Sequence, residues 1–141
     1  MNGIIRTCGF IFCLLAAGFL VADDWPQWRG VERDGVWRET GIVKELPKKL
    51  SFLWRAPVGM GYAGPAVAAG RVYLMDRVLG DGEANPDNPF DKKRVNGSER
   101  ILCFDAGSGK VLWKHSYPSN YTISYPYGPR TTPTVSGGKV Y

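Results

Sequence analysis

Four tyrosines and an arginine crowd one stretch of this chain: Tyr117, Tyr121, Tyr125 and Tyr127 precede Arg130, between two segments with the pattern of strands. Tyrosine supplies a broad ring with a polar tip and arginine a planar fork of donors, so the set suits contacts to a sugar, a peptide or an anion. Arg130 is the leading candidate for an anion or carboxylate contact, with Tyr125 and Tyr127 beside it. The competing reading packs these rings on an adjacent blade of a repeated fold. A second stretch, Asp81-x-Glu83-x-Asn85-x-Asp87, sets oxygen ligands at alternate positions as calcium loops do. Pro86, however, stands where the sharp-turn glycine belongs and Lys92 where the bidentate glutamate belongs. It reads as a solvated loop, and no metal site is expected. His115 is the only histidine and has no Ser, Cys or Asp at motif spacing, which makes it a surface residue at a strand end. No catalytic residue is nominated.

The residues that position this loop form a hairpin. Ile101 to Phe104 is an apolar strand, Asp105-Ala-Gly-Ser-Gly109 a turn, and Val111 to Trp113 a second strand ending on a large aromatic. Asp and Ser bond their own backbone in turns, and Gly supplies positive φ without a Cβ clash. Trp113 buries about 150 to 250 Å² if something covers it. Further strands are expected at 63–68, 71–75, 100–105 and 111–115, with Phe52-Leu53-Trp54 as a short apolar strand. Residues 76–98, punctuated by Pro86, Pro89 and Gly97, form a long polar loop.

The chain also repeats itself. Pro65-x-Val-x-x-Gly-x-Val-Tyr73 recurs as Pro133-x-Val-x-x-Gly-x-Val-Tyr141, at an offset of 68 residues, and Leu53-Trp54-Arg55 matches Leu112-Trp113-Lys114 at an offset of 59. Trp54 to Pro65 is 11 residues and Trp113 to Pro133 is 20, so one enlarged loop accounts for the difference of 9. Without the loop insertions the unit is roughly 40 to 45 residues, the period of a four-stranded propeller blade. The fold class expected is all-β, a β-propeller of four-stranded antiparallel blades, present as about one blade and the start of the next. A complete small sandwich is the alternative.

At the N-terminus, Arg6 precedes an uncharged apolar run of 14 residues, Cys8 to Val21, too short to span about 30 Å of hydrocarbon as a helix. Residues 1–22 therefore read as a secretory signal, with an uncleaved anchor as the alternative, and the protein as secreted or periplasmic with no integral membrane domain after cleavage. Thr7 and Phe12 before Cys8 and Cys13 argue against lipid attachment. Cleavage removes Arg6 and no acid, taking the net charge from +5 to +4, and leaves Cys103 as the single cysteine. A lone thiol on a buried strand is a small hydrophobe and implies no disulfide framework. Basic and acidic residues are interspersed, the pattern of a solvated surface and not of a nucleic-acid footprint. Residues 23–50, with Trp25, Trp28 and Trp37 broken by Pro26 and Gly30, read as an extended arm packed on the body at 51–141. Asn96-Gly-Ser98 and Asn120-Tyr-Thr122 are glycosylation sequons.

Cys103-Phe-Asp-Ala-Gly-Ser-Gly-Lys-Val-Leu-Trp113 resembles the tryptophan-docking repeat of pyrroloquinoline quinone (PQQ)-like β-propellers, with Asp105, Gly109 and Trp113 matching and Cys103 and Ser108 replacing the usual Ala and Thr. Trp25-Pro-Gln-Trp-Arg-Gly30 and Tyr125-Pro-Tyr-Gly-Pro-Arg-Thr-Thr-Pro-Thr-Val135 are similar to secreted members of that superfamily. The resemblance implies that Trp54 and Trp113 stack between neighbouring blades and that Asp105 and Gly109 are structural. It also implies one of two roles: a binding or scaffolding module with a protein, peptide or carbohydrate ligand and no cofactor, or a quinoprotein dehydrogenase using PQQ and calcium. Many such dehydrogenases carry a vicinal cysteine pair, and the mature chain has one cysteine. The first role is the expectation.

Overall fold

The computed structural model describes residues 22–141; apart from Ala22, the segment read as a signal lies outside the described residues. Among the described residues there is no helix, and therefore none long and apolar enough to cross a membrane. Six antiparallel strands follow in chain order: β1 (Ala66–Ala68), β2 (Arg71–Leu79), β3 (Gly97–Asp105), β4 (Val111–Pro118), β5 (Val135–Ser136) and β6 (Lys139–Val140). The first four make one sheet in the order β1-β2-β3-β4, and β5 and β6 make a separate hairpin.

The sequence repeat is a repeat of geometry. Val67 pairs with Val72 and Ala68 with Arg71; 68 residues on, Val135 pairs with Val140 and Ser136 with Lys139. Both turns need positive φ at two successive residues, Ala69 (50°) and Gly70 (70°) in one, Gly137 (55°) and Gly138 (74°) in the other. That is the turn whose twist matches a two-residue hairpin. Ala69 is the costly member, being a residue with a Cβ in the left-handed region.

Cross-strand partners share a face, so register sorts the sheet into two surfaces. One row runs Ala66, Tyr73, Cys103, Trp113 across all four strands. Its small central Cys103, fully buried, lets the rings of Tyr73 and Trp113 approach to 6.0 Å across the intervening strand. Val135 and Val140 pack on this cluster, so the second hairpin covers part of that face. The opposite face carries Phe104 and the Asp76–Arg100 row, and residues 54–60 lie against it: Trp54 stacks with Phe104 at 6.2 Å and Gly59 N–H donates to Asp76. Among the described strands, register slips once: Cys103 faces Trp113 but Phe104 faces Val111, leaving Leu112 as a bulge on exposed β4.

Several sequence expectations need correction. β2 runs on to Leu79 and β3 begins at Gly97, so the polar loop is 80–96 and not 76–98. The reason is that Asp76 and Arg77, polar by type, are buried and paired across the sheet with Arg100 and Glu99. β1 starts at Ala66 and not residue 63, immediately after Pro65. Phe52-Leu53-Trp54 is not a strand: no partner edge reaches it, Leu53 is 91 % exposed, and only Trp54 is seated. In the arm, Trp25 pairs with Val67 through both backbone bonds, whereas Trp28 and Trp37 stay exposed.

Trp54 and the 105–109 turn fit as one unit. Asp105 Oδ1 accepts from Ser108 N (2.8 Å) and Ser108 Oγ (2.7 Å), and Gly109 N–H returns to Asp105 O (2.8 Å). The Trp54 indole N–H donates to Ala106 O at 2.8 Å, and a Cβ on Gly109, where φ is +70°, would stand 2.5 Å from the indole ring. Gly109→Ala is expected to cost about 1–2 kcal/mol in backbone strain alone, and Trp54→Ala about 3 kcal/mol. Because the added methyl meets the ring, urea unfolding of both single variants and the double should show the Gly109→Ala cost falling by at least about 0.5 kcal/mol in the Trp54→Ala background. Strict additivity would refute the contact.

Candidate functional site

The aromatic loop after β4 folds back over the outer end of the first face, and a fully buried arginine organises it. Arg77 donates through Nη1 to Pro126 O (3.2 Å) and through Nη2 to Val95 O (2.9 Å) and Ser119 O (3.5 Å), and its guanidinium lies 4.1 Å from the Tyr121 ring centroid. No carboxylate among the described residues pairs with it, and its Nε has no partner. Carbonyl oxygens and a ring face thus replace the counter-ion, as desolvation of a cation demands. In the same row Glu99 lies between Arg77 and Tyr117. Its two oxygens accept the hydroxyls of Tyr117 (2.6 Å) and Tyr121.

This arrangement suppresses phenol ionisation. The hydrogen bond to Glu99, helped by burial, pushes Tyr117 up to about 12. Burial and then the same carboxylate push Tyr121 higher, against a lowering pull from Arg77 and Arg130. Both hydroxyls donate to the Glu99 carboxylate. A cavity of ≈ 390 Å³ opens beside them, lined among others by Glu99, Tyr117, Tyr121, Ile123 and Arg130.

The nominated residues meet only in part. Arg130 is exposed, donates through Nη2 to Ser124 O (3.2 Å) and Tyr125 O (2.9 Å), and lies 5.3 Å over the Tyr62 ring. Tyr125, at φ 54°, sets its ring edge-on to Phe90 at 5.0 Å, and Tyr127 is edge-on to Tyr62 at 6.4 Å. The rings therefore pack locally, while Arg130 keeps Nε and Nη1 outside those bonds. His115 is exposed on β4 beside Tyr117. Burial raises the Cys103 thiol above its ordinary value, which keeps it protonated. Trp113 is 39 % exposed and touches Tyr73, while Trp54 sits on the Asp105–Gly109 turn.

Sequence reasoning missed Arg77, Glu99 and the Asp76–Arg100 pair, in which Arg100 Nε donates to Asp76 Oδ1 at 2.8 Å. A signal existed in the charged residues at matched positions toward the outer ends of two long strands, but it is readable only once register is known. The loop 81–87 does not converge on a point: Glu83 accepts from Asn96 Nδ2 (2.6 Å) and Asn85 Nδ2 contacts Met60 Sδ (3.5 Å). No group of three or more His, Cys, Asp or Glu among the described residues is placed to hold a metal ion.

The sign of the tyrosine effect is testable. A phenol held above its ordinary value of about 10 stabilises the fold fully below that value, and the contribution fades as pH rises toward about 12 for Tyr117. In a spectrophotometric titration, two of the seven tyrosines should ionise late. Glu99→Gln should bring Tyr117 back toward the ordinary range, and an unchanged curve in that variant would remove the proposed cause.

No protein-family profile, curated protein or solved structure gives a match to this chain.

Proposed function

We propose that the chain is an arm, one blade and the start of the next of a PQQ-like β-propeller, secreted or periplasmic, that works as a binding and scaffolding module. The observation that carries the architectural half is the repeated hairpin, identical in register and in its left-handed turn at an offset of 68 residues. Trp54 seated on the 105–109 turn supports a docking role for that side chain, and Leu112-Trp113-Lys114 repeats its local sequence 59 residues on.

The chemistry of the side chains favours binding over quinone catalysis. Calcium beside PQQ asks for convergent, available oxygens. Asp76 is held by Arg100 and Gly59, Glu99 by two phenols, Asp105 by Ser108 and Glu83 by Asn96. These carboxylates do not fit the ion. Arg130, by contrast, keeps donors at the surface of a loop packed on a rigid sheet, where binding residues are commonly placed.

Full-length protein incubated with PQQ and calcium is expected to show neither a quinone absorbance nor dye-linked oxidation of alcohols or sugars. Turnover above the apoprotein would overturn the binding-module reading in favour of a quinoprotein dehydrogenase.

A further inference from the structure

Trp28 is 69 % exposed, an unusual position for the largest apolar side chain, and it stands in a groove. Two cavities of ≈ 390 and ≈ 290 Å³ share Trp28, Thr131 and Thr132 as walls; Arg29 and Arg33 line the first and Arg130 the second. No aspartate or glutamate lines either one. None of the three arginines makes an ion pair among the described residues.

Each guanidinium is nevertheless fixed in place, by a neutral acceptor. Arg29 Nη2 donates to Asp34 O (3.2 Å), Arg33 Nε to Gln27 Oε1 (3.1 Å), and Arg130 Nη2 to Ser124 O and Tyr125 O. One nitrogen anchors each side chain, Arg29 and Arg130 also lie over the Trp28 and Tyr62 rings, and the other donors of each remain for a ligand. Arg29 and Arg33 also have φ of 66° and 58°, two of the four non-glycine residues with positive φ among those described. Such conformations cost energy and concentrate where a side chain must be aimed at a ligand.

The ligand follows from the inventory. Three uncompensated guanidiniums call for carboxylate or sulfate oxygens, which they bind through paired donors. Arg29 lies 5.7 Å over the Trp28 ring, the remaining surface of this exposed indole offers a platform for the C–H face of one sugar ring, and the threonine hydroxyls suit sugar hydroxyls. A single-stranded nucleic acid stacks successive bases on successive aromatics, and this groove has one ring. We infer that the groove of Trp28, Arg29, Arg33 and Arg130 is a binding site for an acidic sugar, the indole stacking on one residue of an anionic oligosaccharide while the arginines hold its acid groups. The inference rests on the reading of the chain as a binding module, but quinone reconstitution tests that reading and sugar titration tests this one, so either can fail alone.

The test is calorimetric titration of the full-length protein with a sulfated heparin tetrasaccharide, tetragalacturonate, neutral maltotetraose and oligo(dT), with indole fluorescence followed in parallel. Binding of one or both acidic sugars is expected, at least tenfold tighter than maltotetraose and oligo(dT) and weakening as salt is raised; which of the two binds tells sulfate from carboxylate. Trp28→Ala and Arg33→Ala should each lower affinity at least tenfold, and Trp28→Ala should abolish the fluorescence change. Trp37→Ala, which alters an exposed tryptophan outside the groove, should do neither. Because Trp28 and Arg33 are exposed, both variants should keep the wild-type circular dichroism. Failure of both acidic sugars to bind, equal affinity for maltotetraose, tighter binding of oligo(dT), or undiminished affinity in Trp28→Ala would each overturn the assignment.

Discussion

The outer half of the sheet depends on one buried cation. Arg77 is 0 % exposed and has no acidic partner among the described residues, so its guanidinium must be satisfied by main-chain oxygens. Those oxygens come from Val95, Ser119 and Pro126, which lie 18, 42 and 49 residues away. A hydrogen bond to a charged donor contributes about 1.5–3 kcal/mol, more than a neutral one. Three such bonds and a ring contact therefore tie the end of the polar loop and two points of the aromatic loop to a single side chain. The close fit extends to glycine: a Cβ on Gly97 would come within 3.0 Å of Arg77 Nη2, and Gly128, at φ 148°, lies against the Arg77 Cβ.

That anchor explains why one face of the sheet has two characters. Near the turns the first face is apolar, with Ala66, Ala68, Tyr73 and Cys103 under the valines of the second hairpin. Toward the loop end it is polar, with Arg77, Glu99 and Tyr117 in one cross-strand row. The apolar half buries itself by hairpin packing, which is non-directional. The polar half has to be matched atom by atom, which is why Glu99 takes two phenols and Arg77 three carbonyls. A loop held this way is a stiffer support for a surface residue such as Arg130 than one held by apolar contact alone.

What could be read from the sequence was local. The 105–109 turn was legible because Asp, Ser and Gly shape it with their own side chains and backbone freedom. The repeat at 68 residues was legible because it preserves both the valine pair and the turn chemistry, and it returned the same register twice. Illegible parts depend on what covers them. Among the described residues, Phe52 and Leu53 look like a strand but find no neighbouring edge, and Trp28 and Trp37 look like core but find no cover. Asp76 and Arg77 look like the start of a loop, yet both are buried and have partners on segments brought together only by folding. In the candidate site, Arg130 could be nominated by type, but Trp28, Arg29 and Arg33 could not be placed near it, since about 100 positions separate them along the chain and no local pattern links them.

The arginines divide by what their environment lets them do. Arg77, sealed from water, uses its terminal nitrogens on the scaffold, and Arg100 is drawn into a charge-assisted pair with buried Asp76, which raises its already high affinity for a proton. Such residues spend most of their donors on stabilising the sheet. Arg29, Arg33 and Arg130 are instead steadied through single nitrogens by neutral acceptors at an open surface. A neutral anchor restricts the side chain without cancelling its charge, so less rotamer entropy is lost when an anion arrives. An acidic anchor would have held the side chain as well, but it would have competed with the incoming carboxylate or sulfate. The choice of anchor therefore separates the arginines that build this molecule from those available for recognition.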